Sequence, residues 1–186
     1  MKTLIFNGSP RKNGDTISLL KKLESLLIGE YKVLNAYSCN IAPCVDCRYC
    51  HKSDGCCIND EWQELDEYIK SCDNIIIASP NYFSELSGQL LAVTSRLQSY
   101  WIARHYRNNE LIPKRKLGGI ILVGGGDGNM LTPTETATCL LNHMNARNVL
   151  DPICYHKTDI QPAIEDELVL EKIEELARFL NANNQT

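Results

Sequence analysis

The sequence contains no run of basic residues longer than Lys114-Arg115-Lys116, and its formal net charge is −4 with an isoelectric point near 5.6. Neutralising phosphates along a strand requires a basic face, so nucleic acid is not an expected partner. No apolar stretch is long enough to cross a bilayer, so no membrane association is expected. The first apolar run starts at Thr3 with no leader pattern before it, and a cytoplasmic location is the expectation. Internal repeats, low-complexity segments and linkers are missing as well. The 186 residues are therefore expected to form one domain, residues 1–186. The four histidines are scattered, and no Ser-His-Asp or Cys-His spacing can be defended. Cysteine is the exception to this sparseness. Nine are present, an odd number in a chain without a secretion signal, which favours reduced thiols, a metal site or a cluster over a disulfide scaffold.

Strand and helix patterns alternate. Thr3–Asn7, Tyr31–Ala36, Asn74–Ala78, Leu117–Val123 and Val149–Tyr155 read as strands. Helical periodicity falls in Thr16–Ile28, Asp60–Ser71, the segment after Ser87, Pro133–Arg147 and Ala163–Leu180. Residues 100–116 read as a surface excursion, and residues 181–186 as a frayed end. Five strand–helix alternations imply parallel pairing with helical crossovers, hence a doubly wound α/β sheet. In such sheets a ligand sits beyond the carboxyl ends of the strands, where the loops after strands one, three and four meet.

The first of these loops organises the chain. Phe6-Asn7-Gly8-Ser9-Pro10-Arg11-Lys12-Asn13-Gly14-Asp15-Thr16 joins a strand directly to a helix N-terminus. Unpaired N–H groups and the positive end of the helix dipole suit an anion there. Ser9, Asn13 and Thr16 add donors, and Arg11 adds a planar fork that matches phosphate. The loop lacks the Gly-Lys-Ser/Thr of nucleoside-triphosphate loops and the Gly-x-Gly-x-x-Gly of dinucleotide folds. Asp15 either caps the helix and points away or weakens the site. After strand three comes Ser79-Pro80-Asn81-Tyr82-Phe83, whose aromatic pair either walls a flat ring or packs beneath the next helix. After strand four, Gly124-Gly125-Gly126-Asp127-Gly128 permits close backbone approach.

Cys44-x2-Cys47-x2-Cys50-x5-Cys56 lies in a long loop, residues 37–59, that carries six of the nine cysteines. Three thiolates at i, i+3 and i+6 can converge on one side of a tight loop. Three occupants stay open: free or redox thiols, a [4Fe–4S] cluster, or zinc. Cys57 can replace Cys56, and Cys39, Cys72, Cys139 and Cys154 read as small buried hydrophobes.

Gly8-Ser9-Pro10-Arg11-Lys12-Asn13-Gly14 with Thr16, the Ser79-Pro80-x-Tyr82-Phe83 run and the cysteine spacing together resemble the NAD(P)H-dependent FMN reductases and iron–sulfur flavoproteins of the flavodoxin-like superfamily. The likeness covers roughly the whole chain and weakens after residue 130. It implies a three-layer α/β/α fold with a five-stranded parallel sheet in the order 2-1-3-4-5. It also implies FMN as cofactor, NAD(P)H as donor and an unidentified acceptor. By the resemblance, FMN would contact Ser9, Arg11, Asn13, Asp15, Thr16, Pro80, Asn81, Tyr82, Phe83, Gly125 and Gly126. Cys44, Cys47, Cys50 and Cys56 would ligate a cluster if one is held, making the protein an electron carrier. A homodimer or homotetramer is implied by analogy. The alternative class is a redox- or metal-binding protein with no enzymatic activity.

Overall fold

In the computed structural model, residues 1–182 are described. Strand β1 (Lys2–Asn7) leads through the glycine-containing loop into helix α1 (Asp15–Glu24), and β2 (Glu30–Asn35) follows. The cysteine loop precedes α2 (Trp62–Ser71), then β3 (Asn74–Pro80), α3 (Gly88–Thr94) and α4 (Gln98–Tyr106). Strand β4 (Lys116–Val123), α5 (Leu131–His143), β5 (Ala146–Val149), β6 (Ile153–Tyr155) and α6 (Glu167–Asn181) complete the order.

All strand pairs are parallel, and the sheet runs β2-β1-β3-β4-β5 with β6 also on β4. This is the expected flavodoxin-like order. Strand β3 is buried along Asn74–Ser79, which is why Ile75, Ile76 and Ile77 form an unbroken apolar run instead of an alternation. One face packs against α1 and α6 through Leu19, Leu20, Leu23, Ile173 and Leu176. The other packs beneath α2 to α5 through Trp62, Leu65, Val93, Tyr100 and Leu141.

The fifth strand position departs from expectation. Instead of one strand over Val149–Tyr155, two short strands pair end to end with β4: Gly118 opposes Val149 and Ile121 opposes Ile153. Three steps along β4 thus meet four on its neighbour. Pro152 lies in the gap and has no N–H for the ladder, so pairing breaks there.

Residues 100–116 are not wholly a surface excursion. Their first third continues α4, and Tyr100, Ile102, Ala103 and Ile112 are buried. His105 is exposed on this helix, Lys114 and Arg115 are exposed in the loop that follows it, and Lys116 is buried at the start of β4. The closing helix also starts later than expected. A 3-10 turn occupies Ala163–Glu165, and the Asp166 carboxylate accepts the Val169 N–H to cap α6. Of the tail expected to fray, residues 183–186 lie outside the described residues, but Asn181 is fastened. Its Oδ1 accepts the Ile28 N–H at 2.9 Å and its Nδ2 donates to the Leu26 carbonyl at 2.9 Å.

Ile76 is fully buried at the centre of β3, so Ile76→Ala should cost about 2–5 kcal/mol of stability in urea denaturation. A loss below about 1 kcal/mol would mean that the core relaxes around the deletion far more than close packing allows.

Candidate functional site

The loops after β1, β3 and β4 converge at the carboxyl edge of the sheet on a cleft of about 270 Å³. Ser9, Arg11, Gly14, Asp15, Thr16, Pro80, Asn81, Tyr82, Gly125 and Gly126 line it. Two expected contacts are absent from its lining: Asn13 is exposed, and the Phe83 ring is wholly exposed on a left-handed backbone at φ 56°. Thr158 and Asp159 join the wall from the loop after β6. The rule that ligands sit beyond the carboxyl ends of strands applies to that loop as well, so its position was the available signal.

Gly8 lets the loops close on one another. Its N–H donates to the Ala78 carbonyl at 2.8 Å, and a Cβ there would meet Ser87 Oγ at 2.8 Å and Ser79 Oγ at 3.0 Å. Ser79 Oγ in turn accepts the Ser87 N–H at 3.0 Å. On the opposite wall a Cβ at Gly125 would collide with the Asp159 carboxylate at 2.3 Å, whereas Gly126 faces open space. Gly125 is therefore needed for wall packing, whereas the wall leaves room for a side chain at Gly126.

The floor of the cleft suits an anion. Helix α1 begins at Gly14 with no side-chain cap among the described residues, leaving its first-turn N–H groups to face the lining of Ser9, Arg11 and Thr16. The Asp15 carboxylate does not obstruct this end. Its Oδ1 accepts the Ala163 N–H at 2.7 Å, which turns it toward the 3-10 turn before α6. Asn81 Nδ2 donates to the Asn129 carbonyl at 3.3 Å, while its buried Oδ1 has no partner among the described residues. An orphaned acceptor in the wall and uncapped N–H groups at the floor are what a phosphate-bearing ligand with a hydrogen-bonding ring would satisfy.

The cysteine loop forms a second site. Cys44, Cys47, Cys50 and Cys56 line one cavity with His51, Arg96 and Ile102, while Cys57 stays outside the lining. The cavity holds about 30 Å³, the share of a single water. Among the described residues no three His, Cys, Asp or Glu side chains converge closely enough for a single metal ion. Cys47 Sγ lies 3.4 Å from Cys57 Sγ. Burial pushes the Cys50 thiol up. His51 packs against Tyr106 with ring centroids 5.0 Å apart, which anchors the loop to α4, and within that helix Trp101 stacks on His105 at 4.7 Å.

Two features hold this loop. Asp60 Oδ1 accepts the Trp62 N–H and Gln63 Oε1 accepts the Asp60 N–H, each at 2.9 Å, a reciprocal box that starts α2. The Arg96 guanidinium, fully buried, donates to the Ala42 carbonyl at 3.0 Å, the Ile58 carbonyl at 3.1 Å and Asp60 Oδ2 at 2.8 Å. Both stems of the loop are thereby tied to one side chain. The Cys44 N–H adds a bond to Ser95 Oγ at 2.9 Å. Of the other cysteines, Cys72 is buried as expected and its thiol is pushed up to about 12 by burial. Cys139 is exposed, contrary to its reading as a buried hydrophobe.

The profile of the NADPH-dependent FMN reductase family matches residues 1–158. The chain belongs to this family. An iron-sulfur flavoprotein of Methanosarcina thermophila is 27% identical over 184 residues, covering 97% of this chain and 93% of that protein. An iron-sulfur flavoprotein of Methanocaldococcus jannaschii is 30% identical over 127 residues, covering 67% of this chain and 62% of its own length, less than two thirds. Among solved structures, an NAD(P)H:quinone oxidoreductase from Methanothermobacter marburgensis superposes with a TM-score of 0.67 at 16% identity, covering 100% of this chain and 96% of that one. An FMN-dependent NADH-azoreductase from Bacillus anthracis, in complex with FMN, superposes with a TM-score of 0.66 at 16% identity, covering 97% and 100%. These two likenesses carry the fold.

Burial opposes ionisation of Asp60, but the N–H groups of Ala42 and Trp62 and the Arg96 guanidinium outweigh it and hold the carboxyl below its ordinary range. A folded pKa below the unfolded value of about 3.9 means stability that is present above about pH 4 and lost as pH falls through the folded value. Asp60→Asn should therefore weaken the stems near neutral pH. Protease cutting between residues 42 and 58 should rise in the variant at pH 7, and the gap to wild type should narrow below about pH 4. A difference between the two proteins that is independent of pH would refute the ionic role.

Proposed function

We propose that the cleft binds FMN and that the protein passes reducing equivalents from NAD(P)H to an acceptor. The observation that carries this reading is the uncapped start of α1 opening into a cleft lined by Ser9, Arg11 and Thr16, with Asn81 and Tyr82 on the wall above. Bound FMN would supply the redox chemistry that couples oxidation of the nicotinamide to reduction of the acceptor. The chain's own part is to bind and orient. Arg11, Ser9 and the first-turn N–H groups hold the phosphate, and the loop Pro80–Tyr82 presents backbone and amide groups to the ring. Family membership supports both cofactor and donor. No acid–base side chain is required of the protein. Tyr82 and Phe83, exposed at the same loop, give a second copy of the chain an apolar surface to cover, in keeping with a homodimer or homotetramer.

A second reading is favoured by a separate observation. Four thiols around one cavity are the donor set of a [4Fe–4S] cluster, in which each thiolate takes its own iron, so the ring is wider than a single ion permits. The relatives named iron-sulfur flavoproteins support it. The donor chemistry fits, but the space does not yet. A cavity of about 30 Å³ must widen, and Asp46 and Arg48, both at positive φ, flank Cys47 where the loop would open.

Arg11→Ala should raise the dissociation constant for FMN about tenfold, the weight of one charge-assisted bond of ~1.5 kcal/mol. Fluorescence titration of the apoprotein reads this directly, and an unchanged constant would move the phosphate elsewhere. Under anaerobic conditions NADPH or NADH should bleach the bound flavin. A flavin that stays oxidised with both would leave the electron-carrier reading in place of the nicotinamide-dependent one, and iron and sulfide counts per chain would then decide whether a cluster is held.

A further inference from the structure

The cysteine loop carries one thiol more than a four-cysteine set requires, and the fold gives that extra thiol a partner. Cys57 does not line the cavity that Cys44, Cys47, Cys50 and Cys56 share, yet its Sγ lies 3.4 Å from Cys47 Sγ. Both residues are exposed. Cys44 is held back by its N–H bond to Ser95 and by the Arg96 tie at Ala42, and Cys50 sits in the 3-10 turn Tyr49–His51 under Tyr106. Cys47, between Asp46 and Arg48, lies instead on exposed backbone with left-handed residues on either side, and Gly55 supplies a third positive φ before Cys57. The pair therefore sits where the loop is least constrained by packing and where solvent oxidants arrive.

We propose that Cys47 and Cys57 form a redox-closable dithiol, a modification site for peroxide-class oxidants. One thiolate attacks the peroxide O–O bond, and that sulfur becomes a sulfenic acid as the first oxygen leaves as water. The second thiolate then attacks the sulfenic sulfur and expels the other oxygen as water. Two S–H groups and one hydrogen peroxide yield one S–S bond and two waters. Closure removes Cys47 from the four thiols of the cavity and leaves three. On the reading that the cavity holds a cluster, the loop then carries either the disulfide or the cluster, because a [4Fe–4S] centre takes four thiolates. The chemistry of the pair itself does not depend on that reading.

The test uses the full-length chain, reduced, freed of metal and desalted without oxygen. One equivalent of hydrogen peroxide should remove two of the nine free thiols. Tryptic digestion separates Cys47 from Cys57 by cutting after Arg48 and Lys52, and fragmentation of the linked peptides distinguishes Cys47 from Cys39 and Cys44, and Cys57 from Cys56. A Cys47–Cys57 link is the expected product. In Cys57→Ser the link should vanish and Cys47 should stop at a sulfenic acid that a dione probe captures. A dominant link between any other two cysteines, or a disulfide between chains on a non-reducing gel, would overturn the proposal. Iron and sulfide are then offered to both forms. Uptake by the reduced chain, little by the oxidised chain, and recovery on reduction would support the exclusion of a cluster by the disulfide. No uptake by the reduced chain, with the link still formed, would sink the cluster reading alone and leave the dithiol standing.

Discussion

A single buried guanidinium makes this arrangement of loops possible. The bonds of Arg96 to Ala42, Ile58 and Asp60 fasten both the entry and the exit of the long segment between β2 and α2 to one side chain, beside the direct bond from the Ala42 N–H to Asp60 Oδ2 at 2.9 Å. Burying such a charge is costly unless its geometry is well matched, and here one face of the ion is satisfied by carbonyls and a carboxylate while the Trp62 ring lies 5.3 Å away. The Nε atom is left unpartnered among the described residues, so the match is incomplete. Removing one member of such a pair strands the other, which is why the interaction acts more as a specification of loop geometry than as a large net contribution to stability.

From that anchor the two sites are connected through ordinary packing. Arg96 and Ser95 sit at the junction of α3 and α4, and α3 starts at Ser87, whose N–H is held by Ser79 at the rim of the cleft. Gly8 permits β1 to end against the same two serines. One short helix thus separates the loop that faces the proposed flavin from the turn that fixes the cysteines. The cleft is polar and uses backbone groups, whereas the cysteine cavity uses side chains, with Asp46 and Arg48 of its lining at positive φ.

Much of this was legible in the sequence because the signals were periodic or local. The apolar run Ile75-Ile76-Ile77 announced a doubly covered central strand, and the glycine- and serine-rich loops after three strands marked the cleft. What was not legible depended on distant partners. The destination of Asp15 could not be read without knowing that Ala163 lies beside it, 148 positions later. Asn181 looked like the start of a polar tail because nothing local reveals its bonds to Leu26 and Ile28. Phe83 was expected at the ligand because the Ser79-Pro80-x-Tyr82-Phe83 run resembles the flavin-side loop of the FMN reductases, and the left-handed turn that points it outward has no glycine to announce it. Arg96 attracted no notice, since a lone arginine in a helical stretch normally lies in solvent.

The layer formed by α1 and α6 carries a consequence for how the chain is made. Leu19, Leu20 and Leu23 are covered by Ile173, Leu176, Ala177 and Leu180, residues at the opposite end of the sequence. During synthesis that face of the sheet stays open until α6 leaves the ribosome, an interval on the order of ten seconds after α1 at usual elongation rates. The nascent chain passes that time with the smaller of its two core clusters uncovered, so its apolar surface is open to other chains for longer during synthesis than at any time after folding.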